Sequence, residues 1–460
     1  MSKNNVSYKC LSCGNVLSRK PMGKCPACGA FQNFEEVESN ASGASSARAG
    51  LKSSGAKKPV KKAFGIKDLN ANPIKRTPTG IGELDRVLGG GFVDSEVVLF
   101  SGFPGSGKST LSLLIAEKFA NLGFDVLYSS GEESEHQIGL RAQRMKVSND
   151  RIKIVNETNL ETLLGHIEEI KPKFLVVDSL QTLASSEISG SIGSTQQSKE
   201  VAHALTRLAK STGLMMLLIS QVVKSGDFSG SEAIQHIVDA TLMLESDTDS
   251  PLKFLRATKN RFGDTSEVGV FQHAETGLEE VSDPSGVLVD SDNETLAGTA
   301  LSFISEGVRQ IPVEVQALVT TSSLNNPRRQ FNGVNFNRGQ IVCAILDKFC
   351  KAKLYDNDVF VNTISGVKVN DPLADLATAA AIMSSVQGKT YDGRVAFVGE
   401  MSLTGQVRGT FMIDAKVREA ERLGFDKIVV PKAALSSISK KHNIDIQAIS
   451  YISELAKLLK

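Results

Sequence analysis

The 460-residue chain has no tryptophan, no surplus of either charge, and only two cysteines beyond its first thirty residues. It also lacks any apolar run long enough to cross a bilayer. The missing tryptophan excludes no function. The charge balance is more informative: 52 Lys and Arg against 51 Asp and Glu leave no bulk basicity. Any contact with nucleic acid must therefore come from local patches. The longest apolar run, "LMMLLI" at 214–219, falls far short of the ~20 residues of a spanning helix. The N-terminus, "MSKNNVSYKC", is polar and lacks the apolar segment of a secretory leader. A soluble, cytoplasmic protein without a membrane partner is expected. An apolar fraction of 41% is ample for buried cores, and the length suggests about three domains at roughly 150 residues each.

What is present is unevenly distributed. Four cysteines form two pairs, Cys10-x-x-Cys13 and Cys25-x-x-Cys28, separated by eleven residues. Two such turns complete a tetrahedral thiolate site for Zn²⁺, closed by four protein ligands and therefore structural. A disulfide framework is disfavoured by the intracellular reading. Residues 1–35 are expected to be this zinc-binding module, and 36–63 a flexible basic linker. Within it, 39–62 carries six cations, no acid and much Ser, Ala and Gly, which cannot bury a core. Cys343 and Cys350 share one face of an apolar helical stretch and read as small core residues.

From 64 to 285 apolar strands alternate with amphipathic helices. The strand candidates are 96–100, 125–130, 174–178, 214–220 and 240–245. Short continuous apolar runs of this kind predict an α/β fold with a mainly parallel sheet buried on both faces. A break rich in Pro, Gly and Asp follows at 283–295, and 286–460 is expected to form a further domain of strands and helices. Around "KNRFG", 259–263, apolar residues alternate on both sides, which predicts two strands joined at a polar tip.

The central motif is "GFPGSGKST": Gly102, Phe103, Pro104, Gly105, Ser106, Gly107, Lys108, Ser109 and Thr110. Its glycines let backbone N–H groups curl round phosphate oxygens. Lys108 reaches the β- and γ-phosphates, and the Ser109 hydroxyl is placed for Mg²⁺. The motif follows a strand and opens a helix, the context that such a loop requires. Asp178, closing "FLVVD", is expected to hold Mg²⁺ through its water shell. In "SSGEES" either Glu132 or Glu133 can activate the attacking water; Glu132 is the first choice, and an acid-rich helix start is the plainer explanation. Gln221, at the end of a strand, can sense the γ-phosphate. Two Gly/Ser-rich loops, 185–199 and 224–232, belong at the same ends of the sheet, where ligands bind. Beside an ATP site they suggest a second ligand gated by the nucleotide.

The order CxxC…CxxC, "TGIGELDRVLGGG", "PGSGKSTL", "SGEES", "VVDS" and "KNRFG" resembles the bacterial RadA (Sms) family of recombination and repair ATPases. The last third, with "EGVRQIPVEVQALV", "DPLADLA", "FVGEMSLTGQVR" and "VREAERLGF", looks like that family's Lon-type domain. The likeness covers essentially the whole chain. It implies a RecA-like P-loop ATPase core with an N-terminal zinc knuckle and a C-terminal α+β Lon-protease-like domain. It also implies a homo-hexamer that binds single-stranded and branched DNA, works beside a RecA-type recombinase, and uses ATP hydrolysis to drive branch migration. Lys259 and Arg261 would then sit at a subunit boundary, and the two loops would bind DNA. The chain departs from the family pattern at Phe31, where Trp is common, at Ser95, where Gly is usual, and at Gln221, where His is frequent.

Three rival activities follow from the same resemblance. A Lon-type peptidase needs a Ser–Lys dyad. Lys416 is in place, but Leu373 stands where the nucleophile belongs, and Ser384 and Ser385 read as helix-surface or packing positions. A proteolytically inactive scaffold and duplex-DNA surface is expected instead, with Arg328, Arg329 and Arg408 as candidate phosphate contacts. A KaiC-type switch shares the "TGIGELDRVLGGG" entry but lacks the zinc module and the tail. A DnaB-type helicase is close in mechanism and is separated only by its substrates.

Overall fold

The computed structural model describes residues 6–10, 16–17, 34–38, 75–221, 231–246, 250–288, 296–409 and 411–460. The chain divides into two compact units, 1–72 and 73–460. In the first, β1 (Val6–Cys10), β2 (Val16–Leu17) and β3 (Phe34–Glu38) form an antiparallel sheet in the order β2-β1-β3. Cys10 closes β1, whereas Cys13, Cys25 and Cys28 lie outside the described residues, as does the linker beyond residue 38. Among the described residues no cluster of His, Cys, Asp and Glu is arranged to hold a metal ion. No described helix is long and apolar enough to cross a membrane.

The second unit opens with β4 (Arg76–Thr77) paired to β5 (Phe92–Val93) around α1 (Gly82–Leu88). Strand β6 (Val97–Gly102) runs through the phosphate loop into α2 (Lys108–Asn121). There follow β7 (Val126–Ser130), α3 (Glu135–Met145), β8 (Ile152–Asn156), α4 (Leu160–Ile170) and β9 (Phe174–Asp178). Next come α5 (Thr195–Thr212), β10 (Met215–Gln221), α6 (Ser231–Gln235), β11 (Ala240–Ser246), β12 (Leu252–Asn260), β13 (Val268–Ala274), β14 (Gly277–Glu280) and α7 (Ser285–Leu288).

Nine of these strands form one sheet in the order β14-β13-β12-β11-β6-β10-β9-β7-β8. The six from β11 to β8 are parallel, and β12, β13 and β14 add an antiparallel edge. Every residue of β6, β7 and β9 is buried, as continuous apolar runs require. The five strands read from the sequence fall within two residues of those observed. Strand β8 was not legible: at the sheet edge its apolar residues alternate with Lys153 and Asn156, and the run is short. Under the sheet Phe119 stacks on Phe174 at 4.0 Å, and Phe92 meets both rings edge-on. Such pairs contribute about 0.5–1.5 kcal/mol each beyond the area they bury.

Two local readings change. The segment 185–199 is not a loop throughout, because Ser194 caps α5 by accepting from Gln197 N and the helix starts at Thr195. Ser95 has φ 67, in the left-handed region that disfavours side chains, so a glycine there would be relaxed.

The C-terminal part is built on a seven-stranded mixed sheet. Its elements are β15 (Thr299–Glu306), β16 (Arg309–Thr321), β17 (Arg329–Asn332), α8 (Phe336–Ile345), β18 (Asn357–Thr363) and α9 (Asp375–Gln387). They continue with β19 (Val395–Phe397), β20 (Glu400–Met401), β21 (Val407–Arg408), α10 (Ile413–Arg422), β22 (Lys427–Pro431) and β23 (Asp445–Ile449). The sheet order is β17-β18-β16-β15-β19-β22-β23. Helix α9 is buried from Asp375 to Ser384, and its alanines let it lie close on β15 and β16. Cys343 is buried in α8, whereas Cys350, in a π-helical turn that follows, is only half-buried; burial pushes both thiols up to about 11.

The two sheets meet where Leu252 and Val270 pack on Ile304, Ile311 and Val313. Ion pairs fasten the seam. Arg309 bonds the buried Glu83 of α1 and the Ser282 carbonyl, and Arg256 bonds Glu245 and Glu306. On the far side, His442 is held between Glu421 (2.9 Å) and Asp414 (3.1 Å). These contacts, Glu421 first, raise the imidazole pKa above its ordinary 6.5. A raised folded-state pKa stabilises fully below the unfolded value and is lost as pH rises through the folded one. The melting-temperature gap between wild type and His442→Leu is expected to be widest near pH 6 and to narrow with rising pH. A gap independent of pH would refute this.

Candidate nucleotide site

The phosphate loop is shaped by backbone. Gly107 has φ 106 and begins α2 with no side-chain cap, so the N–H groups of the first turn are free for a ligand. A Cβ at Gly107 would lie 2.6 Å from Leu278 Cδ1, which leaves glycine as the residue that fits. Ser106 Oγ is buried and finds no partner among the described residues. Lys108 Nζ is turned onto the loop's own Gly102 and Phe103 carbonyls, 2.9 Å from each. Burial lowers the Lys108 pKa, and the nearby Asp178 and Glu132 carboxylates oppose that shift. An orphaned hydroxyl, uncapped amides and a self-satisfied ammonium together fit a polyphosphate.

The carboxylates enter from the neighbouring strands. Asp178 ends β9, where burial raises its pKa against hydrogen bonds from the Ser109 and Tyr128 hydroxyls. The Tyr128 bond is 2.9 Å. Asp178 and Ser109, the two residues read as Mg²⁺ contacts, thus lie near enough for the hydroxyl to act on the carboxyl pKa. Glu132, beyond β7, accepts from Ser179 Oγ at 2.5 Å and from Gln221 Nε2 at 2.9 Å. Glu133 instead forms a bidentate pair with Arg141 of α3, with one contact at 2.6 Å. The two adjacent glutamates are therefore unlike: one faces Asp178, Lys108 and Gln221, and the other is committed to a helix. Tyr128, Ser179 and Arg141 were not singled out from the sequence. Arg141 lies eight residues beyond Glu133, a spacing that carries no signal of its own.

The "KNRFG" cations lie elsewhere. Gly102, which starts the phosphate loop, is level with Leu244 at the far part of β11. Asn260 pairs with Ala240, and Ala240 with Val98, so the motif sits at the opposite end of the sheet. The four residue steps between the two levels span roughly 13 Å. There Lys259 Nζ donates to the Gln235 carbonyl at 2.6 Å and the Val238 carbonyl at 2.8 Å. Arg261 bonds Asp239 at 3.2 Å and the His236 carbonyl at 3.3 Å, with half its side chain exposed. Asp239, which also binds Lys210 and the Val97 amide, anchors the cluster and was missed in the sequence. Neither cation reaches the phosphate loop of its own chain.

Of the two loops, 224–232 lies outside the described residues except for the first two positions of α6. In the other, the Gln197 amide bonds the Ser185 and Ile188 carbonyls and staples the base, leaving Ile192 exposed at the tip. In the C-terminal part Lys416 is wholly buried and donates to the Phe303 carbonyl and to Asp371. Ser384 Oγ binds the Gly298 amide and the Lys389 carbonyl, and Ser385 Oγ binds the Val319 amide, so both serines serve packing. Arg328 pairs with Asp358, Arg329 with backbone carbonyls, and Arg408 with Gln406.

Residues 77–160 match the family described as "ATPase: KaiC", and 332–434 match "ChlI: Subunit ChlI of Mg-chelatase". Over 459 residues the chain is 39% identical to the DNA repair protein RadA of Streptococcus pyogenes serotype M3, covering 99% of each chain. The DNA repair protein RadA of Bacillus subtilis is 37% identical over 99% of this chain and 98% of its own. That of Streptococcus pneumoniae is 40% identical over 87% of this chain and 94% of its own.

Proposed function

The chain belongs to the family of the DNA repair protein RadA, and from that membership we propose that it is an ATP-driven DNA motor of recombinational repair. It binds single-stranded DNA as a homo-hexamer, works beside a RecA-type recombinase and drives branch migration. The observation that carries this reading is the division of the site. The phosphate loop, Asp178, Glu132 and Gln221 converge at one end of the sheet, whereas Lys259 and Arg261 lie at the other. Cations so placed meet a γ-phosphate only when a second copy supplies the phosphate loop, which favours an assembled ring.

In this mechanism the Lys108 ammonium leaves its two loop carbonyls and donates instead to β- and γ-phosphate oxygens. Mg²⁺, held by Ser109 and by Asp178 through water, would supply charge neutralisation on those oxygens. Glu132 accepts the proton of the attacking water, held in place by Ser179 and Gln221. Arg261 of an adjacent copy stabilises the charge that develops at transfer. Gln221 touches Glu132 and precedes the segment 222–230, so a change at the γ-phosphate is passed toward the proposed DNA contacts. Zn²⁺ would be held by the four N-terminal cysteines, of which Cys10 closes β1.

The test is steady-state ATP hydrolysis with and without single-stranded DNA. Stimulation by DNA is expected, and indifference would favour a nucleotide switch. Arg261→Ala is expected to lower turnover by about 10²-fold or more. Mixing it with Lys108→Ala should restore part of the activity, because each variant then supplies what the other lacks. A mixture no more active than its parts would remove the role assigned to Arg261.

A further inference from the structure

Lys253 of β12 is 6% exposed, and its ammonium has no hydrogen-bond or ion-pair partner among the described residues. Its Nζ is not one of the unpartnered atoms sealed from solvent, so the stem is covered while the ammonium stays open to an anionic or polar ligand. Its place in the sheet indicates which ligand. On β12, Leu255 and Ala257 share a core with Leu111 and Ile115 of α2, whereas Leu252 faces the C-terminal sheet. Alternation therefore puts Lys253 on the α2 face. Its partner on β11 is Ser246, two residues beyond Leu244, which is level with Gly102. Lys253 thus lies beside the phosphate loop, past the end of β6.

Its surroundings reach the same loop. Lys253 is paired across to Phe271, one pleat from His273, and its charge, together with burial, lowers the His273 pKa. Next to His273, Ala274 pairs with Gly277 across the β13–β14 turn. Gly277 has φ 133 and packs so closely on α2 that a Cβ there would lie 2.9 Å from Thr110 Cγ2. Leu278, paired with His273, is the residue that closes on Gly107. The turn between β13 and β14 and the Lys253 side chain therefore wall the start of α2. The wall stands on the side of β6 away from Asp178 and Glu132, since β12, β13 and β14 lie beyond β11 while β9 and β7 lie beyond β10. A triphosphate whose γ end meets those carboxylates directs its nucleoside toward this wall.

We propose that Lys253 is a nucleotide-binding residue whose ammonium donates to an acceptor on the nucleoside monophosphate half of the bound triphosphate, an α-phosphate oxygen or the base edge. This rests on the nucleotide-site reading above and adds the contact that the phosphate loop leaves unassigned. It also explains why a lysine is kept at a strand position that packing alone would fill with an apolar residue.

The experiment is equilibrium binding of ADP and of GDP to the full chain, for wild type and Lys253→Met, with thermal melts of the same proteins with and without ADP. Loss of a charged hydrogen bond predicts roughly tenfold or more weaker ADP binding in the variant. Its unliganded melting temperature should change little, because no hydrogen bond or ion pair is lost and the covered stem is kept. An equal loss for both nucleotides assigns the α-phosphate, and a loss for one only assigns the base edge. ADP affinity within twofold of wild type overturns the proposal, whatever the melting temperature does. Should the Met variant fail to fold, Lys253→Gln keeps a donor of similar reach. It is expected to lose affinity several-fold, and unchanged affinity overturns the proposal equally. Wild type that binds neither nucleotide would instead overturn the phosphate-loop reading itself.

Discussion

Lys108→Ala is expected to lower ATP turnover by about 10²–10³-fold or more, the cost of losing one preorganised donor to the transferring phosphoryl group. The fold should survive. In the unliganded chain Lys108 Nζ bonds only the Gly102 and Phe103 carbonyls of the phosphate loop itself, so no contact with another element is lost. Its removal also takes away a charge held below its ordinary pKa by burial. The melting temperature should therefore move little, equivalent to about 1 kcal/mol or less. The check is kcat from steady-state hydrolysis beside a thermal melt of the same preparation. Full turnover in the variant would remove the phosphate loop from the mechanism. Lost turnover with a lost fold would make the lysine structural.

Glu132→Gln separates chemistry from binding. A general base contributes about 10²–10⁴-fold, and the amide keeps the shape that Ser179 and Gln221 hold. Turnover should fall within that range while ADP affinity stays near wild type. Glu133→Gln is the informative partner. It loses a charged pair with Arg141 that is neither fully buried nor fully exposed, so about 1 kcal/mol of stability is expected to go, with a small effect on kcat. If Glu133→Gln abolishes turnover and Glu132→Gln does not, the two roles are exchanged.

How much of this was legible in the sequence depended on range. The phosphate loop is a local object: "GFPGSGKST" after one apolar run and before an amphipathic one is enough to place it. The parallel core was legible for the same reason, because "FLVVD" and "LMMLLIS" can be buried on both faces only inside a sheet. The choice between Glu132 and Glu133 was not local. It depends on Arg141, which becomes a neighbour of Glu133 only when α3 folds back along the end of β7. The position of "KNRFG" depends on register: both its strands were foreseen, but which end of the sheet it occupies follows from Asn260 pairing with Ala240. Lys253 was invisible, since alternation assigns it a face but says nothing of what stands opposite. Asp239, alone before "ATLMLE", offered no pattern at all. The C-terminal sheet was foreseen only as further strands and helices; its mixed order, with β15 between an antiparallel and a parallel neighbour, has no short-range signature.

The clasp between Arg309 and Glu83 bears on how force moves through one subunit. Glu83 is 2% exposed, accepts the Val270 amide as well as Arg309, and belongs to α1, which packs on β13. Freeing one partner of such a buried pair costs about 3–5 kcal/mol, well above thermal energy. The seam beside it is apolar and continuous from Leu252 to Val313. Among the described residues, the ATPase core and the C-terminal lobe are therefore tied by one clasp and one continuous apolar seam. Turning one against the other would have to break the Arg309–Glu83 pair and open the apolar seam.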